Sequence, residues 1–361
     1  MIMYPDFISL IISRLALLLF FSLSLIGCDF VPSTHFDLVE VIPLPGTSDV
    51  YFRLFCAKND STWFCGVPQR KENGISLSFY QTDDGGAVWY EKSRLDVGRL
   101  PSTRFFGFRN NKLYYCVSGG YSMQSSSLFM SQDDGCSWKQ ILHVNEDIQT
   151  VHVWDKGIAV VTAPFSGSFH LLTTLDGGLS WQQHAFPAEV TGNHYSFRED
   201  DILYLSIKGG MYRRKVLSDD KPTLFFSPPK SVLPKKNHFK ENWFFCTSYD
   251  YLVLSAKSCT KCFAFVENQL EARSCISRRI THGAKQPCAL FNRGDTVVVS
   301  LRNDESLDLS QTVVSYDGGR SWTSLSQDTY HYASESFVYS VSRDGDSFVV
   351  KKHWVTQNKE R

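Results

Sequence analysis

The chain has 361 residues, with 37 acidic and 37 basic side chains and a formal net charge of zero. Its 43% hydrophobic and 20% charged composition excludes an intrinsically disordered chain and any polybasic or polyacidic tail. Neutrality argues against nucleic acid as the main partner, and 14% aromatic residues favour strands over helices.

The first element is an apolar run, Leu15 to Ile26, with Arg14 just before it. A membrane-spanning helix needs roughly 20 apolar residues, so this shorter run reads as the core of a signal peptide. It ends Leu25-Ile26-Gly27-Cys28, which resembles the lipobox of bacterial lipoproteins: a small residue precedes the thiol that takes the lipid. The alternative is an ordinary signal peptide followed by a structural Cys. The lipobox resemblance implies a palmitate-bearing lipid anchor on Cys28 and a periplasmic location. Asp29 resembles the signal that retains such proteins at the inner membrane. The chain then divides into a signal peptide over 1–27, a tether over 28–35, one domain over 36–355 and a tail over 356–361.

Repeats decide the fold of that domain. Four segments share the pattern Ser/Thr-x-Asp-x-Gly-x-x-Trp, each after a run of strand character. Turn 1 carries Thr82, Asp84, Gly86 and Trp89; turn 2 carries Ser131, Asp133, Gly135 and Trp138. Turn 3 carries Thr174, Asp176, Gly178 and Trp181, and turn 4 carries Ser315, Asp317, Gly319 and Trp322. Such a segment suits a tight hairpin: Asp accepts from turn amides, Gly takes a positive φ, and Trp packs back over the strands. The pattern resembles the Asp-box (BNR) repeat of sialidases, photosystem assembly factors and sortilin-like receptors, all β-propellers. That resemblance implies a structural role for the turns, at the rim and away from the ligand face.

Turn starts are 49, 43 and 141 residues apart, and 141 is three steps of 47. Two blades have therefore lost the motif. A second series of polar turns marks the inner hairpin of each blade: Asn59-Asp60, Asn110-Asn111, Asp155–Gly157, Glu199–Asp201, Tyr249-Asp250, Arg293–Asp295 and Asp344–Asp346. These predict an all-β propeller of seven four-stranded blades, with six blades and an added sheet as the alternative. Only two good strands follow turn 4, near Ser336–Ser342 and Ser347–Trp354. The alternating run from Phe36 to Ile42 is expected to close the last blade as its outer strand, removing an exposed edge.

Ten cysteines are present. In an oxidising compartment disulfides are the default. Hairpin symmetry places Cys56 opposite Cys65 about Asp60-Ser61, and Cys262 opposite Cys275 about Asn268-Gln269, both within disulfide reach if so paired. Cys116 and Cys136 share a blade and form a weaker pair. Cys259-Thr-Lys-Cys262 is a CxxC, but no second CxxC or spaced His pair accompanies it, so no metal and no cofactor are expected.

Chain direction puts the repeated turns and the inner hairpins on one side of a propeller. The other side, here called the loop face, would carry Arg70, Arg99, Tyr121, Lys235, Lys236, Arg278 and Arg279, together with Tyr330-His331. Between Lys208 and Lys240 there are nine basic residues against two acidic ones. A basic, aromatic face implies an anionic partner, such as an acidic protein surface or a glycan acid. The Asp-box resemblance also raises a sialidase-like glycoside hydrolase. That chemistry requires three arginines around a carboxylate and a Tyr nucleophile with a Glu partner. Arg53, Arg104, Tyr332 and Glu335 are the residues available for it, but Phe52-Arg53-Leu54-Phe55 lacks the Pro of the sialidase arginine motif. No GxSxG, HExxH, Walker or Rossmann pattern occurs. The expectation is therefore a non-catalytic, lipid-anchored protein-binding propeller of immunity, assembly or sensor type, with the glycosidase as its alternative.

Overall fold

The computed structural model describes residues 38–354 apart from a set of connections, the longer of which are 46–53, 119–124, 186–194, 228–243, 278–285 and 303–309. Within residues 37–356, which form one compact unit, the described chain is entirely β. It forms seven separate four-stranded antiparallel sheets, the seven blades of a β-propeller.

Blade 1 is β2 (Leu54–Ala57), β3 (Trp63–Lys71), β4 (Gly74–Thr82) and β5 (Tyr90–Gly98). Blade 2 is β6 (Ser102–Arg109), β7 (Lys112–Ser118), β8 (Ser126–Ser131) and β9 (Lys139–Val144). Blade 3 is β10 (Asp147–Trp154), β11 (Gly157–Ala163), β12 (His170–Thr174) and β13 (Gln182–Ala185). Blade 4 is β14 (Tyr195–Arg198), β15 (Asp201–Leu205), β16 (Met211–Lys215) and β17 (Thr223–Phe226). Blade 5 is β18 (Phe244–Thr247), β19 (Tyr251–Ala256), β20 (Cys259–Val266) and β21 (Gln269–Ile276). Blade 6 is β22 (Gln286–Arg293), β23 (Thr296–Arg302), β24 (Ser310–Ser315) and β25 (Thr323–Ser326). Blade 7 is β26 (Tyr330–Ala333), β27 (Phe337–Asp344), β28 (Ser347–Trp354) and, from the other end of the chain, β1 (Leu38–Pro43).

The first strands neighbour one another around the centre: β2 meets β6, β6 meets β10, β14 meets β18, and β26 meets both β22 and β2. The core is accordingly a ring of inter-blade clusters. One sits between blades 7 and 1 around Trp63, Phe55, Tyr339 and Ile42; another sits between blades 1 and 2 around Phe79, Tyr115 and Phe106. Middle strands such as β11 (Ile158 to Val161) are buried on both faces, which is why they read as unbroken apolar runs.

Closure follows the sequence expectation. β1 pairs antiparallel with β28, Ile42 opposite Val350, and Ile42 turns inward against blade 1. Blade 7 differs from expectation at its inner end. Tyr330–Ala333, expected on the loop face, is its innermost strand. The Asp344–Asp346 hairpin therefore joins the second and third strands of that blade rather than the first and second. A four-residue strand whose register slips between Tyr330 and Tyr332 carries too little alternation to be read as a strand.

None of the three expected pairs is bridged: Cys56, Cys136 and Cys262, one member of each, are free thiols. The β2–β3 hairpin pairs Cys56 with Phe64 and Phe55 with Cys65, so its turn centres on Asp60 and not on Asp60-Ser61. That one-residue offset sends the two thiols to opposite faces of the sheet. Cys56 joins Leu54 and Phe64 in one cluster, and Cys65 joins Phe55 and Trp63 in another. In blade 5 a bulge sets Cys275 opposite Lys261, leaving Cys262 buried and Cys275 exposed. Burial pushes the Cys56 thiol up and the Cys262 thiol up to about 12, so both stay protonated.

Candidate functional site

The four repeated turns share one hydrogen-bond pattern. In each, the first-position hydroxyl donates to the Asp Oδ1: Thr82 to Asp84 at 2.7 Å, Ser131 to Asp133 at 2.7 Å, Thr174 to Asp176 at 2.7 Å and Ser315 to Asp317 at 2.8 Å. The same hydroxyl accepts from the fifth-position glycine amide, at 2.7 Å in turn 4 and 2.9 Å in turn 1. Asp Oδ1 also accepts the seventh-position amide, from Val88, Ser137, Ser180 and Ser321. The chain can fold this tightly because the fourth and fifth positions take positive φ, as Gly85-Gly86 does at 72° and 97° and Asp134-Gly135 at 51° and 85°.

Turns 2, 3 and 4 add a hydroxyl that turn 1 lacks. Ser137, Ser180 and Ser321 donate to the second carboxylate oxygen, whereas turn 1 has Val88 there. Donation from Ser137 holds the Asp133 carboxyl at about 2, and donation from Ser180 holds Asp176 well below the usual carboxylate range. Burial works against the Asp317 carboxylate, yet the Ser321 and Ser315 donors still leave it lowered. Each carboxylate thus accepts hydrogen bonds from within its own turn and holds that turn closed.

The turns clamp neighbouring blades. Trp138 donates its indole N–H to Ser93 Oγ at 3.2 Å, and that hydroxyl donates to the Gly135 carbonyl. Blade 6 repeats the device on blade 5: Trp322 donates to Ser274 Oγ at 3.0 Å and Ser274 donates to the Gly319 carbonyl at 2.7 Å. Trp181 donates instead to the Ile141 carbonyl at 2.8 Å. Ser93, Ile141 and Ser274 each lie where the outer strand of the preceding blade slips register. A bulge turns one residue out of the ladder and toward the next blade. These three residues were missed by the sequence reading. The signal for the two serines is a strand Ser one blade, 45 or 48 residues, before a turn Trp.

On the loop face, Arg70 is exposed near the end of β3, and its neighbour Lys71 pairs with Asp96 at 2.6 Å. Arg99, Tyr121, Lys235, Lys236, Arg278 and Arg279 lie outside the described residues, as do Arg53, Glu335 and the lipidation residue Cys28. Arg104 lies on β6 and Tyr332 on β26, the inner strands of blades 2 and 7. Three of the nine cations expected near this face belong to the packing of blade 4. Arg214 is buried, Lys215 pairs with Asp200 at 2.6 Å and Asp201 at 3.1 Å, and Arg213 lies 5.1 Å from the Phe225 ring centre.

The described loop-face chemistry centres instead on the link between blades 2 and 3. Glu146 takes hydrogen bonds from Thr162 and pairs with His170 Nδ1 at 3.0 Å, while Asp147 accepts from Ser118 and from Gln149 at 2.6 Å. Ser126 donates to the Glu146 carbonyl at 2.8 Å and receives the Ile148 amide at 3.1 Å. These carboxylates are satisfied from within and pin the entry to β10. Among the described residues no group of His, Cys, Asp and Glu has the arrangement of a metal site.

Comparison with known proteins adds the fold and nothing finer. No family model matches the chain, and no curated protein matches it. Among solved structures it is similar to YCF48 bound to a D1 peptide, with 12% identity and a TM-score of 0.58 over 90% of this chain and 99% of that one. It is similar to the β-propeller domain of the Trilobed protease from Pyrococcus furiosus, with 8% identity and a TM-score of 0.52 over 86% of this chain and 100% of that one. A Listeria monocytogenes protein, lmo1340, gives 9% identity and a TM-score of 0.54 over 83% and 91%. At such identities the likeness establishes a β-propeller and leaves the ligand open.

Proposed function

We propose that this chain is a lipid-anchored periplasmic propeller that binds a protein partner on its loop face and carries out no chemistry of its own. The observation that carries this reading is the division of labour between the two sides. The repeated turns and inner hairpins take up the inter-blade packing on one side, which leaves the long connections of the other side to vary. Those connections include the basic excursion with Lys235 and Lys236 and the Arg278-Arg279 pair. The similar YCF48 structure was solved with a peptide bound, which supports a peptide- or protein-binding role for this propeller. The Leu25–Cys28 lipobox supports the anchor, and Asp29 supports the inner membrane.

The test is a pull-down from the native cell envelope with the soluble form that starts after Cys28, run beside a fluorogenic sialoside assay on the same sample. The reading expects a stoichiometric protein partner, binding weakened by reversing charge at Arg278 and Arg279, and no turnover. Turnover lost on Arg53→Ala would replace it with a periplasmic glycosidase. Cys28→Ser should release the full chain from membranes on fractionation; retention there would remove the anchor.

A further inference from the structure

Turn 3 departs from its siblings in a way that its own architecture does not require. The side chains at the second and sixth positions of the motif are not part of the hydrogen-bond pattern that closes all four turns; in turn 4 alone, Arg320 at the sixth donates to the Asp317 carbonyl at 3.0 Å. These positions hold Asp83 and Ala87 in turn 1, Gln132 and Cys136 in turn 2, and Tyr316 and Arg320 in turn 4. In turn 3 both are leucine, and they are 59% and 76% exposed at Leu175 and Leu179. Two bulky apolar side chains held outward on one rigid turn are uncommon on a surface otherwise free to be polar.

These leucines border an open cleft of about 510 Å³ between turns 2 and 3, on the side of the ring away from the loop face. Trp138 and Met130 form its apolar wall, and Lys112 and Lys139 stand at its margin. Neither lysine has a carboxylate partner among the described residues. Asp176 also lines the cleft. Its oxygens accept from Thr174, Leu179, Ser180 and the Ser180 hydroxyl, which keeps it ionised, so it offsets one of the two lysine charges. The cleft therefore combines an apolar floor on a rigid frame with two lysines against one carboxylate, a lining of net positive charge.

We infer that this cleft docks a short extended segment of a partner protein in which a bulky apolar side chain is flanked by carboxylates. The apolar side chain would sit between Leu175, Leu179 and Trp138, and the carboxylates would meet Lys112 and Lys139. Because the cleft lies on the opposite side from the loop face, this inference stands or falls apart from the loop-face reading.

Fluorescence anisotropy with a labelled hexapeptide, Asp-Glu-Leu-Phe-Asp-Glu, tests it on the purified protein. Two control peptides replace the acids by Lys or the Leu-Phe pair by Ser-Ser. The acidic apolar peptide should bind, and both controls should bind at least tenfold more weakly. Leu179→Ser and Lys139→Glu should each weaken binding at least fivefold without moving the melting temperature, since both positions are exposed and outside the core. Absence of binding up to millimolar peptide, equal binding of the Lys control, or affinity unchanged in both variants would overturn the inference. Self-association abolished by Leu179→Ser would also overturn it, by making the occupant a second copy of the chain.

Discussion

Two inter-blade junctions solve one packing problem with different chemistry. Between blades 5 and 6, turn 4 docks on β21 through a polar clamp, with Ser274 bridging the Trp322 indole and the Gly319 carbonyl. Between blades 4 and 5 no repeated turn exists, and β20 meets β21 in a short hairpin with Val266 opposite Gln269. Here the outer strand β17 also bulges, at Phe225, but what it offers the next blade is aromatic. Phe226 packs edge-on to Phe263 at 5.1 Å, Phe225 stacks on Phe265 at 5.9 Å, and Arg198 lies 4.0 Å from the centre of the Phe265 ring. The bulge is common to both junctions. The repeated motif is one way to fill the space it faces, and area burial by phenylalanine is another.

The comparison predicts where each junction fails. Phe263 is fully buried, so Phe263→Ala should cost about 4 kcal/mol, as large-to-small changes of buried aromatics do. Chemical denaturation would show this as a shifted midpoint at unchanged slope; a shift below about 1 kcal/mol would mean that blade 4 is held elsewhere. Trp322 is half-buried, and Trp322→Ala should cost about 3 kcal/mol by the same assay. Ser274→Ala removes only the bridging hydroxyl and leaves an indole N–H without its acceptor, so about 1–2 kcal/mol is expected. Ser93→Ala should behave alike at turn 2. In turn 1 the Trp89 indole N–H has no acceptor among the described residues, so no hydroxyl deletion on β1 would reproduce the effect.

The junction between blades 3 and 4 is sensitive to acid. His152 stacks on Phe197 at 4.8 Å and donates from Nε2 to the Glu199 carbonyl at 2.6 Å. Burial holds its imidazole down at about 4 from an ordinary 6.5, with the Glu199 hydrogen bond acting in opposition. The unfolded chain therefore binds the proton first. The stabilisation is full above about pH 6.5 and is lost as pH falls through 4, about 1–2 kcal/mol after allowance for partial exposure. His152→Gln should flatten that window of the stability–pH curve; an unchanged curve would remove His152 as its source. The smallest effect expected is none: alkylation of the denatured protein without reductant should label Cys56 and Cys262 in full, and protection of either would restore a disulfide.

What could be read from sequence follows from how local the physics is. The repeated turns were legible because each is closed by its own side chains, so Ser/Thr, Asp and Gly must recur at fixed spacing. Inner hairpins such as Asn110-Asn111, with φ of 50° and 56°, were legible for the same reason. Closure was legible from the alternation up to Ile42. Sheet register was not, because it depends on whether a loop is odd or even, and the Cys56–Cys65 assignment failed by one residue. The aromatic junction was also hidden, since 27 Phe carry no positional mark of which pairs meet. Of the residues expected on the loop face, Arg70 lies in the described structure near the end of β3, while Tyr330 and His331 fall on the inner strand β26 instead. The Glu146–His170 pair went unnoticed because its partners come from three different strand ends.

The account rests on rim contacts holding the ring, which is what frees the loop face for a partner. A double-mutant cycle on Ser274→Ala and Trp322→Phe tests this most directly, because Phe keeps the ring and removes only the indole donor. A coupling energy of about 1 kcal/mol is predicted for residues that share one hydrogen bond across a junction. Strictly additive losses would show that turn 4 does not clamp blade 6 to blade 5, and the structural role assigned to the turns would fall with it.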